Sequence, residues 1–230
     1  MVTAFSGWID AGEAATDAMR FLGRQLAAEP LAEIDPEDFV DFTQVRPVIR
    51  LRAEGERTIR WPRSAFWLWQ PPTGGAGLLL FRGLEPQRRW RAYATALLEV
   101  AARCGVQRIV SLGAMLADLP HTRPPRVTGS STDPHWHAQF EAWGMARRRG
   151  AASLTFMGQA PHYLQGTTNP AMRQALLTAV ARLLDLELDV SPLDAAVQPR
   201  FRTTHMSLSN FWVPLQSLCT GGDYATLVPP

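Results

Sequence analysis

The sequence contains no lysine. All 23 basic side chains are arginine, set against 21 Asp and Glu, for a formal charge of +2 over 230 residues. That charge is near neutral for this size, and the missing lysine reads as genome composition or codon usage rather than chemistry. The arginine groups Arg88, Arg89, Arg91 and Arg147–Arg149 are short and lack interleaved aromatics. No nucleic-acid partner is therefore expected. Cysteine is scarce too: Cys104 and Cys219 stand far apart and outside any CxxC or Cys/His pattern. They indicate no disulfide framework, no zinc site and no thiol nucleophile, and Cys104 reads as a small apolar residue in the last turn of a helix. MVTAFSGWIDAG lacks the basic start and apolar stretch of a signal peptide. No apolar run approaches the roughly 20 residues that span a bilayer. The expectation is a cytoplasmic protein with no membrane partner. Also missing are GxSxG, HExxH and a paired-carboxylate signature, so no catalytic residue, metal or cofactor is assigned.

What is present is a globular composition, 46% hydrophobic and 19% charged, long enough to bury a substantial core. VTAF at 2–5 reads as a short strand, and Ala14, Ala15, Ala18, Met19, Leu22 and Leu26 follow at helical spacing. Between 34 and 70 the segments FVDF, VIRL, TIRW and FWLWQ are short, alternating or aromatic. They predict antiparallel strands, with Glu54-Gly55-Glu56 as a turn. GLLLF at 77–81 is continuously apolar, as a strand buried on both faces should be. A helix follows Pro86, with the stripe Trp90, Tyr93, Ala94, Leu97, Leu98, Ala101, and Gly105 is placed to end it.

RIVSLGA at 108–114 is the next buried strand, followed by a long polar loop to about 134. Residues 137–149 predict a ragged helix, and SLTFMG at 153–158 another strand. Asn169-Pro170 then opens a helix along Leu176, Leu177, Val180, Leu183 and Leu184. Strand alternating with helix predicts an α/β fold, a three-layer α/β/α sandwich with a mainly parallel sheet and a small antiparallel strand insertion at 45–70. One domain is expected over 1–200. Residues 201–230 form an aperiodic tail rich in Ser, Thr and Pro and without Glu.

If the core strands run parallel, their polar carboxyl ends share one edge of the sheet, where open α/β sheets bind ligands. The candidate crevice residues are Asp10, Glu85, Arg89, His121, Arg123, Thr128, His162 and Tyr163. Each has an architectural reading beside the chemical one. Asp10 in GWIDAGEAAT caps a helix more readily than it marks an anion site, and GxxxxG without Lys-Ser/Thr is no phosphate loop. Glu85 and Arg89, four apart, are placed to pair across one helical turn. His121 and His162 suit general acid/base chemistry, but histidines that hold loops are commoner. TGSSTD at 128–133 suits an anion or an ST-turn equally. Trp61, Phe66, Trp67 and Trp69 suit either a subunit contact or a satellite core.

The segments GWIDAGEAAT, IDPEDFVDFTQVRP, RTIRWP, LLLFRGLEPQRRWR, VSLGAMLADLPHTRPPRVTGSSTDP and APHY occur in an order that resembles the proteasome assembly chaperone 2 family, in particular its actinobacterial-type bacterial members, over about 7 to 190. The resemblance implies an α/β/α sandwich like that of nucleoside phosphorylases and self-assembly into trimers or rings. It implies no reaction and no cofactor. Two departures stand out: HWHAQFEAWGMARRRG replaces a longer segment with a YxGPTGI-like motif, and the tail replaces an acidic helical end. The leading expectation is a non-enzymatic homo-oligomer of assembly-chaperone type, with room for a protein client. The alternative is a nucleoside- or anion-binding enzyme or sensor that uses the strand-end crevice.

Overall fold

A computed structural model describes residues 1–51, 55–131, 133, 146–148, 154–164 and 167–193. The predicted turn residue Glu54, most of the segment 137–149 and the tail 201–230 lie outside the described residues. The elements run β1 (Val2–Ser6), α1 (Ala14–Gln25), β2 (Glu29–Ile34), β3 (Val48–Leu51), β4 (Arg57–Arg60), β5 (Ser64–Trp69), β6 (Leu78–Leu84), α2 (Trp90–Arg103), β7 (Val110–Ala117), β8 (Arg126–Ser130), β9 (Ala146–Arg148), β10 (Leu154–Pro161) and α3 (Pro170–Leu184).

Eight strands form one mixed sheet in the order β2-β5-β6-β1-β7-β10-β8-β9, while β3 and β4 form a separate two-stranded sheet. The centre, β6-β1-β7-β10, is parallel throughout. Antiparallel β5 and β8 flank it. The parallel strands are continuously apolar because both faces are covered. Alternation along β6 sends Leu78 and Leu80 to one side, where α1 and α3 pack with Leu22, Met172, Leu176 and Val180. Leu79 and Phe81 point the other way, to α2 with Tyr93, Leu97 and Ala101. Two cores on opposite faces of one sheet make the three-layer sandwich. Burial of side chains such as Phe66, Phe81 and Phe156 contributes on the order of 1.5–3 kcal/mol each.

The helix ends follow local chemistry. Asn169 Oδ1 accepts the Met172 amide at 3.0 Å with Pro170 in the first turn. Past α2, Gly105 takes φ 65°, and the Val106 amide bonds the Ala101 carbonyl at 3.0 Å, a glycine-terminated cap.

Several expectations change. FVDF is a turn, not a strand: Phe39 and Val40 are buried there, and Phe39 packs edge-on against Tyr93 at 5.2 Å. The strand nearby is β2, whose sequence EPLAEI carries Pro30 and outward charges, as an edge strand tolerates. Phe66, Trp67 and Trp69 belong to β5 of the main sheet, so only β3 and β4 stand apart as the small antiparallel insertion. RVTGS is not loop but β8, paired with β10. Residues 146–148, placed in a helix by the sequence, pair with β8 as a strand. The α2 stripe is narrower than its apolar residues suggest, because Trp90, Ala94 and Leu98 form a ridge turned to solvent.

Candidate functional site

The four central strands end at Ser6, Leu84, Ala117 and Pro161. Because they are parallel, the polar turns after them lie along one rim. Two clusters occupy that rim and a third borders it, and each is built from contacts between turns.

The first joins the turns after β1 and β6. Glu85 accepts the Trp8 amide at 3.0 Å on Oε2 and the Ile9 amide at 3.3 Å on Oε1. Beside it Asp10 accepts the Ala15 amide at 2.8 Å, the Thr16 amide at 3.2 Å and the Thr16 hydroxyl. Asp10 thereby holds the start of α1, which the chain enters through left-handed Gly12 and Glu13. Burial pushes the Asp10 carboxyl up from its ordinary value, and its bonds to Thr16 and Ala15 partly offset that. The Ala114 amide donates to the Ile9 carbonyl at 2.7 Å, which fastens the same turn to β7.

The second joins the turns after β7 and β10. Tyr163 Oη accepts the His121 amide and lies 2.9 Å from His121 Nδ1. His162 Nδ1 lies 3.1 Å from Asp118 Oδ1. The Tyr163 ring meets both imidazoles edge-on, with centroids 5.8 Å from His121 and 5.4 Å from His162. His121 is buried, whereas His162 and Asp118 are exposed. Arg123 lies beside His121 in a shallow depression with Arg126, Gln159 and Asn169.

Away from both, Arg89 Nη1 bonds Asp38 Oδ1 at 2.8 Å and its guanidinium covers the Phe39 ring at 5.8 Å. It does not pair with Glu85. Arg88 reaches Asp41 Oδ2 at 3.1 Å, so 85–89 pins the 35–45 turn over α2. Thr128 is buried inside β8 and its hydroxyl donates to the Met157 carbonyl at 3.1 Å.

Asp10 and the exposed Trp8 line a cavity of about 510 Å³ at the rim with Gly12, Glu13, Met115 and Leu116. His121 and Arg123 line the other depression. The rim therefore carries two concavities, joined where the Asn169 amide donates to the Gly12 carbonyl at 3.0 Å. Among the described residues no group of three or more His, Cys, Asp and Glu is placed to hold a metal ion. No helix among them is long and apolar enough to cross a membrane.

Two concentrations of surface chemistry escape sequence motifs. One is the β3–β4 hairpin, whose Ile49, Leu51, Ile59 and Trp61 are exposed. The other is a cleft lined by Arg20, Arg24, Arg50, Arg60 and Arg82. The alternation within VIRL and RTIR puts Ile49, Leu51 and Ile59 on one face with Arg57, and Arg50 and Arg60 on the other with Val48, and it is the one sequence signal that points to them.

An α/β/α sandwich whose rim residues hold turns together defines a class of protein with an interlocked strand-end edge. The family follows from comparison: the model of the PAC2 family matches residues 4–199, and the chain belongs to that family. A PAC2 family protein from Streptomyces avermitilis is 30% identical with a TM-score of 0.77, covering 95% of this chain and 97% of its own. A proteasome-assembly chaperone homologue from Mycobacterium tuberculosis is 32% identical with a TM-score of 0.76 over the same shares. PbaA of Pyrococcus furiosus, an archaeal homolog of proteasome-assembly chaperone, is 14% identical with a TM-score of 0.61, covering 91% of this chain and 93% of its own. That last likeness extends to the fold. Comparison with curated proteins finds no match.

Proposed function

We propose that this protein is a non-enzymatic assembly factor of the proteasome-assembly-chaperone type that works as a homo-oligomer. The β3–β4 hairpin carries this reading. In its register Ile49 faces Ile59, and Leu51 projects to the same side because strand residues alternate. Ile49, Leu51 and Ile59 are 60–70% exposed and Trp61 is 50% exposed. A two-stranded sheet has marginal stability by itself, and an apolar face of this kind is suited to docking. The occupant is a second copy of the chain, which places apolar hairpins against one another around a trimer or ring. The relatedness to a proteasome-assembly chaperone homologue supports a protein client.

The rim supports the same reading. Glu85, Asp10, Tyr163 and Arg89 each hold a turn by bonds within the chain, so their chemistry is already used in architecture. Light scattering after size exclusion at micromolar concentration tests the proposal. A mass of three or more protomers is expected, and a stable monomer would overturn it.

A second reading rests on the cavity of about 510 Å³ lined by Trp8, Asp10 and Met115, a volume suited to small molecules. It makes the protein a sensor or enzyme for a nucleoside-like ligand. Thermal shift against nucleosides separates the two: stabilisation that rises with ligand concentration favours the cavity, and a flat response favours the assembly factor.

A further inference from the structure

The second face of the β3–β4 hairpin carries Arg50 and Arg60 beside Val48 and Thr58. Arg50 and Arg60 alternate with Ile49 and Ile59 and line a cleft of about 770 Å³ on the α1 side of the sheet. Arg20 and Arg24 from α1 form the facing wall. Trp67 and Leu80 belong to the floor, from which Arg82 rises. Five arginines from four segments thus meet in one concavity, and Glu13 is the one carboxylate among the lining residues.

Of the neighbouring carboxylates, one neutralises a single arginine of the wall and another is engaged outside the cleft. Asp17 bonds Arg20 and approaches Arg173, and Glu33 bonds Arg63 outside the lining. Among the described residues, Arg24, Arg50, Arg60 and Arg82 have no ion pair. Arg82 is half-buried with its guanidinium 5.3 Å from the Trp67 centroid, a stacking that fixes the fork in place. Burial lowers its affinity for a proton, and the positive charges of Arg20, Arg60 and Arg63 add to that while Asp17 opposes it. Gathering like charges on a half-buried floor raises the energy of the empty cleft, and a bound anion relieves it.

We propose that this cleft binds a small, multiply charged phosphate compound, with Arg82 at its floor and Arg24, Arg50 and Arg60 closing from the walls. Guanidinium forks match phosphate oxygens in pairs. A concavity of this size fits a small molecule, whereas a nucleic-acid backbone is tracked by an extended basic groove. The site adjoins the rim cavity through Glu13 but opens on the α1 side of the sheet, and it requires neither self-association nor a client.

Isothermal titration with inorganic tripolyphosphate at fixed ionic strength tests it, with citrate and an oligoglutamate peptide as carboxylate competitors. Tripolyphosphate is expected to bind at one site per chain and more tightly than either carboxylate. Exposed Arg24→Gln and Arg60→Gln should each weaken binding several-fold without shifting the melting temperature. Arg82→Met should weaken it at least tenfold, and Arg103→Gln at the end of α2 should leave it unchanged. Three results would overturn the proposal. One is binding by the Arg24 and Arg60 variants that is as tight as that of the wild type. Another is a signal that sodium chloride at the same ionic strength abolishes in all proteins alike. The third is tighter binding of oligoglutamate, which would make the cleft a surface for acidic peptides.

Discussion

The carboxylate of Glu85 fills the space that a side chain on Gly7 would need: a Cβ there would lie 2.5 Å from Glu85 Oε2. Gly7 has φ 154°, where L side chains are strained, and it precedes the two amides that Glu85 holds. The sequence separation is large, yet the glycine and the glutamate form one device. Gly7→Ala should cost about 2–4 kcal/mol, combining backbone strain with displacement of a charge-assisted pair of bonds. Glu85→Ala should cost about 1.5–3 kcal/mol. In the double variant the glycine substitution should cost less than it does alone, because the space is vacant. Urea unfolding of the four proteins checks this, and strict additivity would show that the two residues act separately.

Asp10 makes stability depend on pH in a definite sense. Its folded carboxyl binds protons more tightly than the ordinary value of 3.8 because burial disfavours the charge. Protonation therefore favours the folded state, and this contribution is full below 3.8 and is lost as pH rises through the raised value. Asp41 and Asp189 act oppositely, since hydrogen bonds to Thr43 and Ser191 hold them low. Comparison with Asp10→Asn cancels those terms. The stability of wild type relative to the variant should fall with rising pH across this window and then level off. Urea midpoints from pH 3.5 to 7, a range chosen around the ordinary carboxylate values, measure it. A relative stability that climbs with pH would refute the burial of this charge.

The parallel core was legible because burial on both faces writes a continuous apolar run, as in Leu78–Phe81. Edge strands leave no such trace. β2 contains a proline and three exposed residues at its start, and β8 is spelled RVTGS, a turn composition that pairing with β10 overrides. The rim's position followed from strand direction. Its internal wiring did not, because hydrogen bonds such as Glu85 to Trp8 span 77 positions and spacing carries no record of them. Arg89 shows the limit: its helical spacing from Glu85 suggested a pair, whereas the buried Phe39 turn brings Asp38 into reach instead. The arginine cleft was hidden for a similar reason, since its residues come from a helix, a hairpin and a strand.

Tyr93 links α2 to the sheet and should govern alkaline stability. Its hydroxyl lies 2.7 Å from Ser64 Oγ and 3.1 Å from the Leu84 carbonyl. Burial pushes its pKa up to about 12, with the Ser64 bond opposing. Since the folded state holds this proton more tightly, stability should decline as pH rises above 10 toward 12. Tyr93→Phe should cost about 0.5–1.5 kcal/mol near neutrality and show a shallower alkaline decline. Thermal melts from neutral pH to pH 11, just beyond the ordinary tyrosine value, check both. Matching alkaline slopes in the two proteins would mean that Tyr93 ionises like a solvated phenol.

Ile59 tests whether the hairpin is an interface or a mere excursion of the chain. It faces Ile49 across the β3–β4 ladder, and both side chains are about 60% exposed within one protomer. An exposed residue that packs against nothing tolerates a charge within about 0.5 kcal/mol. In a subunit contact the same charge is desolvated without a partner, at a cost of several kcal/mol. Ile59→Glu should therefore leave the fold intact by circular dichroism while reducing the light-scattering mass to that of a monomer. Ile59→Val should retain the assembled mass, because it removes one methylene and adds no charge. Should the glutamate variant stay assembled, the copies must meet through some other face. The apolar side of the hairpin would then be left for the client.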